Sequence, residues 1–112
     1  MYWKNEFAGS KMDVVDSFIG TIDTDYYIND VKDQISFDVY ADELDKYGYF
    51  QGQVIFEDCT EKRIVDMNLK TNDKVQLTVY MVDPKAAARY YDKPAEELDK
   101  DDLFFVDIEK KV

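Results

Sequence analysis

An alternation of apolar and polar residues, which is typical of a β-strand with one buried face, recurs along this chain. Residues 74–82 (KVQLTVYMV) carry an apolar side chain at every second position. Residues 34–42 (QISFDVYAD) repeat the pattern, and Asp38 and Tyr40 are expected to face solvent there. Both segments are therefore predicted to be strands of a sheet with one solvated face.

Four further segments have weaker strand patterns, at residues 14–22, 49–58, 63–69 and 103–109. The short connection at 58–62 and the polar turn at 70–73 predict that residues 49–58, 63–70 and 74–82 form an antiparallel meander. Residues 34–42 would add a strand to it. The closing segment is apolar enough to pair inside the sheet.

Residues 83–102 depart from this pattern and predict a short helix. Asp83 is a suitable N-cap, Pro84 fits the first helical turn, and three alanines follow. Pro94 ends the helical pattern, so the helix is placed at residues 84–91. The chain is predicted to be a single β-rich α+β domain, 1–112. Its mainly antiparallel sheet has about five to six strands, arranged as a sandwich or a partly open barrel.

The composition fits a folded domain with a charged surface. Of the 112 residues, 46% are hydrophobic and 15% are aromatic, which is enough to fill a core and is unlike a disordered acidic chain. No apolar run approaches the length of a membrane span, and the charged N-terminal segment leaves no room for a signal peptide. Cys59 is the only cysteine, so no disulfide can form within the chain, and a cytoplasmic location is expected.

The formal net charge of −11 is concentrated in the first half of the chain. Residues 1–58 hold 13 acidic and 4 basic residues, whereas residues 59–112 hold 12 and 10. A charge of this sign repels nucleic acids and anionic membranes and attracts basic protein surfaces. We therefore expect a basic protein as the partner, with no direct binding of nucleic acid or membrane.

The sequence offers little for enzyme chemistry. The chain has no histidine, which removes the commonest general base and excludes Ser-His-Asp and Cys-His sites. Asp58 and Glu61 lie close to Cys59 and are expected to raise the pKa of its thiol, which disfavours a reactive thiolate. The chain is predicted not to be an enzyme and to hold no cofactor.

One segment resembles the start of a calcium loop. Residues 23–33 begin Asp-x-Asp, as an EF-hand loop does. That loop requires an oxygen ligand at its fifth position and glycine at its sixth, where this chain has Tyr27 and Ile28. The motif therefore fails and no metal site is predicted, with an irregular calcium site formed by Asp23, Asp25 and Asp30 as the remaining alternative.

Residues 21–45 combine a high density of acids with tyrosines. A charged face of this kind is most often only a solvated surface that keeps a sheet soluble. The sharper hypothesis is a recognition surface, because gathering like charge costs self-repulsion that solubility alone does not require. Its predicted contact residues, whose carboxylates would replace nucleic-acid phosphates, are Asp23, Asp25, Asp30, Asp33, Asp38, Asp42, Glu43 and Asp45, with Tyr26, Tyr27 and Tyr40 between them.

Small size, strong acidity, the lack of a catalytic set and this Tyr/Asp-rich segment together resemble phage-encoded counter-defence inhibitors. Several anti-restriction and anti-CRISPR proteins of that class act as DNA mimics. The resemblance is one of composition, and it implies a basic nuclease or nucleoprotein complex as the partner. Immunity proteins against basic nuclease toxins have the same profile.

A different class of function is a structural or assembly module of a virion or multiprotein complex. Such a module would associate with itself through an exposed apolar edge, for which residues 102–108 (DLFFVDI) are the candidate. A DNA mimic should remain a monomer or a small closed oligomer, whereas an assembly module should polymerise or form rings.

Overall fold

The computed structural model describes residues 3–23 and 33–112. Within these residues, five strands form one antiparallel sheet in the order β3-β2-β1-β4-β5. The strands are β1 (Met12–Asp23), β2 (Ile35–Tyr40), β3 (Gln53–Cys59), β4 (Lys74–Val82) and β5 (Phe104–Lys111). The accompanying helices are α1 (Trp3–Glu6), α2 (Lys62–Val65) and α3 (Pro84–Tyr91), together with four short 3₁₀-helices. The predicted β-rich α+β class is confirmed.

The main core lies on one face of the sheet. Val75, Leu77 and Val79 of β4 point into it at alternate positions and are fully buried. Phe37 of β2 and Phe56 of β3, which lie toward the opposite edge of the sheet, belong to the same cluster, and their rings stack with centroids 4.9 Å apart. All five strands therefore contribute to this main core.

The opposite face of the sheet is covered mainly near β5. There α1, α3 and the segment after α1 pack on Phe105, with Phe7 and Ala87 buried in a second, smaller cluster. Farther across the same face, four apolar side chains are exposed: Val14, Ile19, Tyr40 and Ile55. This half of the outer face is a candidate contact surface that the sequence pattern did not indicate.

The outer edge of β5 is closed by side chains from three separate elements. Each donates a hydrogen bond to one of the alternate carbonyls along that edge: Trp3 Nε1 to Val106 (2.8 Å), Tyr49 Oη to Phe104 (3.1 Å) and Arg63 Nη1 to Ile108. Unpaired edge groups are templates for pairing with another chain, and these donors occupy them. Residues 104–108 are also buried. The prediction that DLFFVDI is an exposed apolar edge is therefore wrong.

The predicted meander is also wrong. Residues 62–65 form α2 instead of the start of a strand, and Ile64 at its centre is fully buried in the main core. The segment 58–62 is consequently no hairpin, since β3 pairs with β2 and β4 lies between β1 and β5. The predicted strand at 49–58 begins later, at Gln53, because residues 50–52 form a 3₁₀-helix.

Other predictions are confirmed at the level of single residues. β4 covers 74–82 and α3 covers 84–91, as the patterns indicated. Asp83 caps α3 by accepting a 3.0 Å hydrogen bond from the Lys85 N–H, and Pro84 occupies the first turn. The less regular segment 14–22 lies within β1, the longest strand.

Candidate protein-binding surface

The structure describes seven of the eleven predicted contact residues, and these seven differ in their exposure. Asp25, Tyr26, Tyr27 and Asp30 lie outside the described residues. Asp23 is partly buried at the end of β1, whereas Asp33 is exposed before β2. Tyr40 is exposed on the outer face of the sheet, where it lies opposite Thr21.

Asp38 is the clear exception to the predicted pattern. Its side chain is buried, with 1% of the residue exposed, although it alternates with the core residues of β2. Gln53 Nε2 donates a 2.7 Å hydrogen bond to Asp38 Oδ2 from the neighbouring strand. The prediction that Asp38 faces solvent is wrong, and a carboxylate enclosed in this way cannot act as a surface contact.

Asp42, Glu43 and Asp45 lie together on a 3₁₀-helix, Asp42–Tyr47. Leu44 in the middle of this helix is fully buried in the main core and anchors it to the sheet. The Asp45 carboxylate accepts a 2.7 Å hydrogen bond from the Gly52 N–H, which fixes the following loop. These acids therefore sit on a rigid element.

A second acidic segment, at residues 95–103, lies beside the first. It consists of two 3₁₀-helices, Ala95–Glu97 and Lys100–Leu103. Asp99 and Asp102 form a reciprocal capping box in which each side chain accepts a hydrogen bond from the other residue's N–H. This arrangement satisfies two N–H groups at the start of the helix and fixes the local backbone.

Gly48 and Asp101 bring the two acidic segments into contact. A Cβ atom at Gly48 would lie 2.6 Å from Cγ of Asp101, so any larger residue at this position would have to displace the Asp101 side chain. The Tyr47 ring packs edge-on against Phe104, with the centroids 5.1 Å apart. We refer to residues 42–47 and 95–103 together as the acidic surface.

The acidic surface carries eight carboxylates and two lysines. In the described part of the chain, one ion pair reaches these carboxylates, from Lys93 to Asp102 at 3.5 Å. Most of the negative charge is therefore not neutralised by the protein itself. Sequence reasoning missed the second segment because lysines elsewhere in residues 59–112 cancel its charge in the sum over that half.

Asp16 of β1 is bonded to the acidic surface through Tyr47. The Tyr47 hydroxyl donates a 2.5 Å hydrogen bond to Asp16 Oδ2. This bond lowers the pKa of Asp16 below its usual 3.8. The same bond raises the pKa of Tyr47 to about 12. Asp16 is therefore ionised at neutral pH.

Asp107 is, with Asp38, one of two described carboxylates that are buried, and it is surrounded by cations. Both of its oxygens accept hydrogen bonds from Arg63 Nη2 at 3.0 Å, and Lys4 Nζ lies 3.1 Å from Oδ2. Burial, and next the Glu109 carboxylate, raise the pKa of Asp107 to about 7, whereas the two cations favour the ionised form. With 0% exposure, Asp107 cannot meet a substrate unless these cations move away.

The thiol of Cys59 behaves as the sequence indicated. Burial raises its pKa, the nearby Glu61 carboxylate adds to the effect, and the residue is only 5% exposed. The predicted direction of the shift is confirmed, although burial and not charge is its main cause. A nucleophilic thiolate is disfavoured at this position.

No family model, curated protein or solved structure matches this chain. Across residues 3–23 and 33–112, no helix has both the length and the apolar character needed to cross a bilayer. The same residues contain no group of three or more His, Cys, Asp or Glu placed to hold a metal ion. The surfaces of the molecule are thus the basis for an assignment of function.

Proposed function

We propose that this protein binds and inhibits a basic, nucleic-acid-handling protein, in the manner of phage counter-defence proteins. Its acidic surface would occupy the cationic cleft in which the partner normally holds DNA or RNA. The observation that carries this proposal is the side-by-side packing of two acidic segments through Gly48 and Asp101. The order of the acids along the chain alone does not reveal this juxtaposition.

The density of charge supports the proposal. Each strand of duplex DNA carries about one phosphate per 3.4 Å of axis. Residues three apart in a 3₁₀-helix share one face and lie about 6 Å apart along the axis, so Asp42 and Asp45 place two carboxylates on one side of the first segment. One such segment is sparser than a row of phosphates, but two segments side by side approach the phosphate spacing of one DNA strand.

The rigidity of the acidic surface also supports the proposal. Leu44 in the core and the Asp99–Asp102 capping box hold the two backbones in place before any partner binds. A preorganised surface loses less conformational freedom on binding, so more of its interaction energy appears as affinity.

The proposal is tested by capture of proteins from a lysate at low salt, followed by competition with duplex DNA. The test variant is D42N/E43Q/E96Q/E97Q, because these four side chains make no hydrogen bond or ion pair among the described residues. The control variant, E6Q/E61Q/D66N/D92N, removes the same charge from residues outside the acidic surface.

Wild-type protein should retain a basic protein that duplex DNA displaces and that salt releases. The test variant should bind that protein at least about tenfold more weakly, chiefly through a slower association rate, and the control variant should bind it nearly as well as wild type. The proposal fails if no basic protein is retained or if the two variants bind equally.

Assembly is a second candidate function, favoured by the exposed half of the outer sheet face. Val14 and Ile55 on that face are 62% and 56% exposed, and the strand registers place them toward opposite ends of β1. A protein that assembles through this face should sediment as a larger species at high salt, where self-repulsion is screened. Sedimentation at low and high salt, with V14D/I55D as the test variant, separates the two functions.

A further inference from the structure

The two edge strands of the sheet, β5 and β3, differ in the hydrogen bonding of their outward-facing backbone groups. On β5, side chains from three elements donate hydrogen bonds to the alternate carbonyls of the outer edge, as described above. On the edge of β3 that points away from β2, the Gln53 N–H donates locally to the Phe50 carbonyl, and no other hydrogen bond from the described residues reaches this edge. The N–H and C=O groups of Ile55 and Glu57 are thus left open to pair with another strand.

A groove runs beside this open edge. Residues 55–59 of β3 form one wall, and Trp3 and Tyr90 form the other, around a cavity of about 190 Å³. The Tyr90 ring is held by Phe7 and Phe105, with centroid distances of 5.2 and 5.4 Å, so this wall is firmly packed. The cavity is smaller than the roughly 300 to 1,000 Å³ of small-molecule sites, and its size fits a side chain better than a cofactor.

The charge beside the groove favours a cationic occupant. Glu57 and Asp58 line it, both are exposed, and neither has an ion pair among the described residues. A β-bulge at this point, with Asp58 at φ +47°, interrupts the register with β2. The Trp3 and Tyr90 rings opposite can pack on the aliphatic part of a lysine or arginine, or attract its charge.

We propose that this groove binds an extended basic segment of a partner protein, which adds to β3 as a further strand. Its main chain would pair with the open edge of β3, and its lysine or arginine side chains would lie between the two carboxylates and the aromatic wall. The groove shares no residue with the acidic surface, so this inference does not depend on the function proposed above. A second copy of the chain is a poor occupant, because both copies carry a net charge of −11 and would bring Glu57 and Asp58 together.

The probes are the blocked synthetic peptide VKVKVKV and its acidic counterpart VEVEVEV. Trp3 is the only tryptophan, so its fluorescence reports directly on occupation of the groove. The basic peptide should shift the Trp3 emission in a saturable manner, and the acidic peptide should not. The variant E57Q/D58N should bind the basic peptide about fivefold more weakly. The control E61Q/D66N, which removes the same charge outside the groove, should bind it as wild type does.

Hydrogen exchange distinguishes strand addition from general attraction of charge. Addition of a strand should slow exchange of amides within residues 53–57, and it should leave β5 amides unchanged. The inference is overturned if the basic peptide does not bind, if it binds both variants equally, or if it binds without protecting these amides. Dimerisation of the free protein through β3, seen by sedimentation and by the same protection, would overturn it in favour of a second copy.

Discussion

The Tyr47 hydroxyl donates a 2.5 Å hydrogen bond to the Asp16 carboxylate and so joins an acidic 3₁₀-helix to β1. The same ring packs on Phe104 at the start of β5. One tyrosine therefore holds the first acidic segment against two strands. The bond also links the charge state of Asp16 to the stability of the fold.

Tyr47→Phe should destabilise the protein at neutral pH by about 1 kcal/mol, since the ring remains and one hydrogen bond to a charged acceptor is lost. The hydrogen bond depresses the folded-state pKa of Asp16, so its contribution is present above the ordinary pKa of 3.8 and disappears as the pH falls through the folded value. The difference between wild type and variant, measured by urea unfolding, should therefore shrink on acidification. Tyr90→Phe is the control, because the Tyr90 hydroxyl makes no hydrogen bond in the described part of the chain.

At high pH the stabilisation that this hydrogen bond provides should be lost as Tyr47 ionises. The pKa of Tyr47 is raised from 10.0 to about 12, so its contribution to stability is complete below pH 10 and is lost between the two values. Urea unfolding across this range should show a steeper loss of stability for wild type than for Tyr47→Phe. Equal slopes would show that the hydrogen bond is absent in solution.

Gly48→Ala should cost about 2 kcal/mol, more than the strain of a left-handed residue alone. Gly48 and Gly9 have nearly the same φ, +84° and +83°, but only Gly48 has a neighbour, Asp101, where a Cβ would lie. Gly9→Ala should therefore cost only about 1 kcal/mol. The difference between the two free energies of unfolding measures the contact between the acidic segments, and equal costs would argue against that contact.

Arg63→Ala should leave Asp107 enclosed with one cation fewer. Because Arg63 itself is 39% exposed at its side chain, we expect a loss of about 2 kcal/mol near pH 8, below the range for fully buried pairs. The folded-state pKa of Asp107, about 7, lies above the ordinary 3.8, so the folded chain binds more protons between these values, and stability falls as the pH rises through that window. The cost of Arg63→Ala should accordingly be smaller near pH 5, where Asp107 can take up a proton.

Two further variants test this account of Arg63. Lys62→Ala, which breaks an exposed ion pair with Asp66 on the same helix, should not change stability measurably. Asp107→Asn in the Arg63→Ala background should recover most of the loss, because the unpaired charge is gone. A cost of Arg63→Ala that is independent of pH and is not relieved by Asp107→Asn would contradict it.

The elements that could be predicted from the sequence are those set by local patterns. The alternation in residues 74–82 and the Asp83-Pro84 start of α3 depend on neighbours a few residues away, and both were predicted with the observed bounds. The pairing of β4 with β1 and β5 depends on contacts between distant segments. No local pattern distinguishes that arrangement from a meander.

The segment 63–69 shows why a short pattern can mislead. Val65, Met67 and Leu69 alternate as in a strand, but Ile64 and Met67 also have the i, i+3 spacing of a helix. The choice is made by distant contacts, because Ile64 fills the core and Arg63 reaches Asp107 on β5. Seven residues carry too little information to reveal this outcome.

Half of the acidic surface was predictable, and the other half was not. Asp42, Glu43 and Asp45 stand out by local density, whereas residues 95–103 become part of the same surface only through the Gly48–Asp101 contact. The prediction that Asp38 is exposed fails for a related reason. Gln53 on a neighbouring strand donates the hydrogen bond that makes burial of the Asp38 carboxylate tolerable.

The hydrogen bond from Trp3 to the Val106 carbonyl spans 103 positions of sequence. A ribosome that has just released the first helix must therefore add all of these residues before that indole finds its acceptor. Until then β4 has no β5 to lie against, and the nascent chain exposes one side of it to chaperones or to other copies. Folding of this domain is consequently expected to be completed only after residues 104–111 have been synthesised.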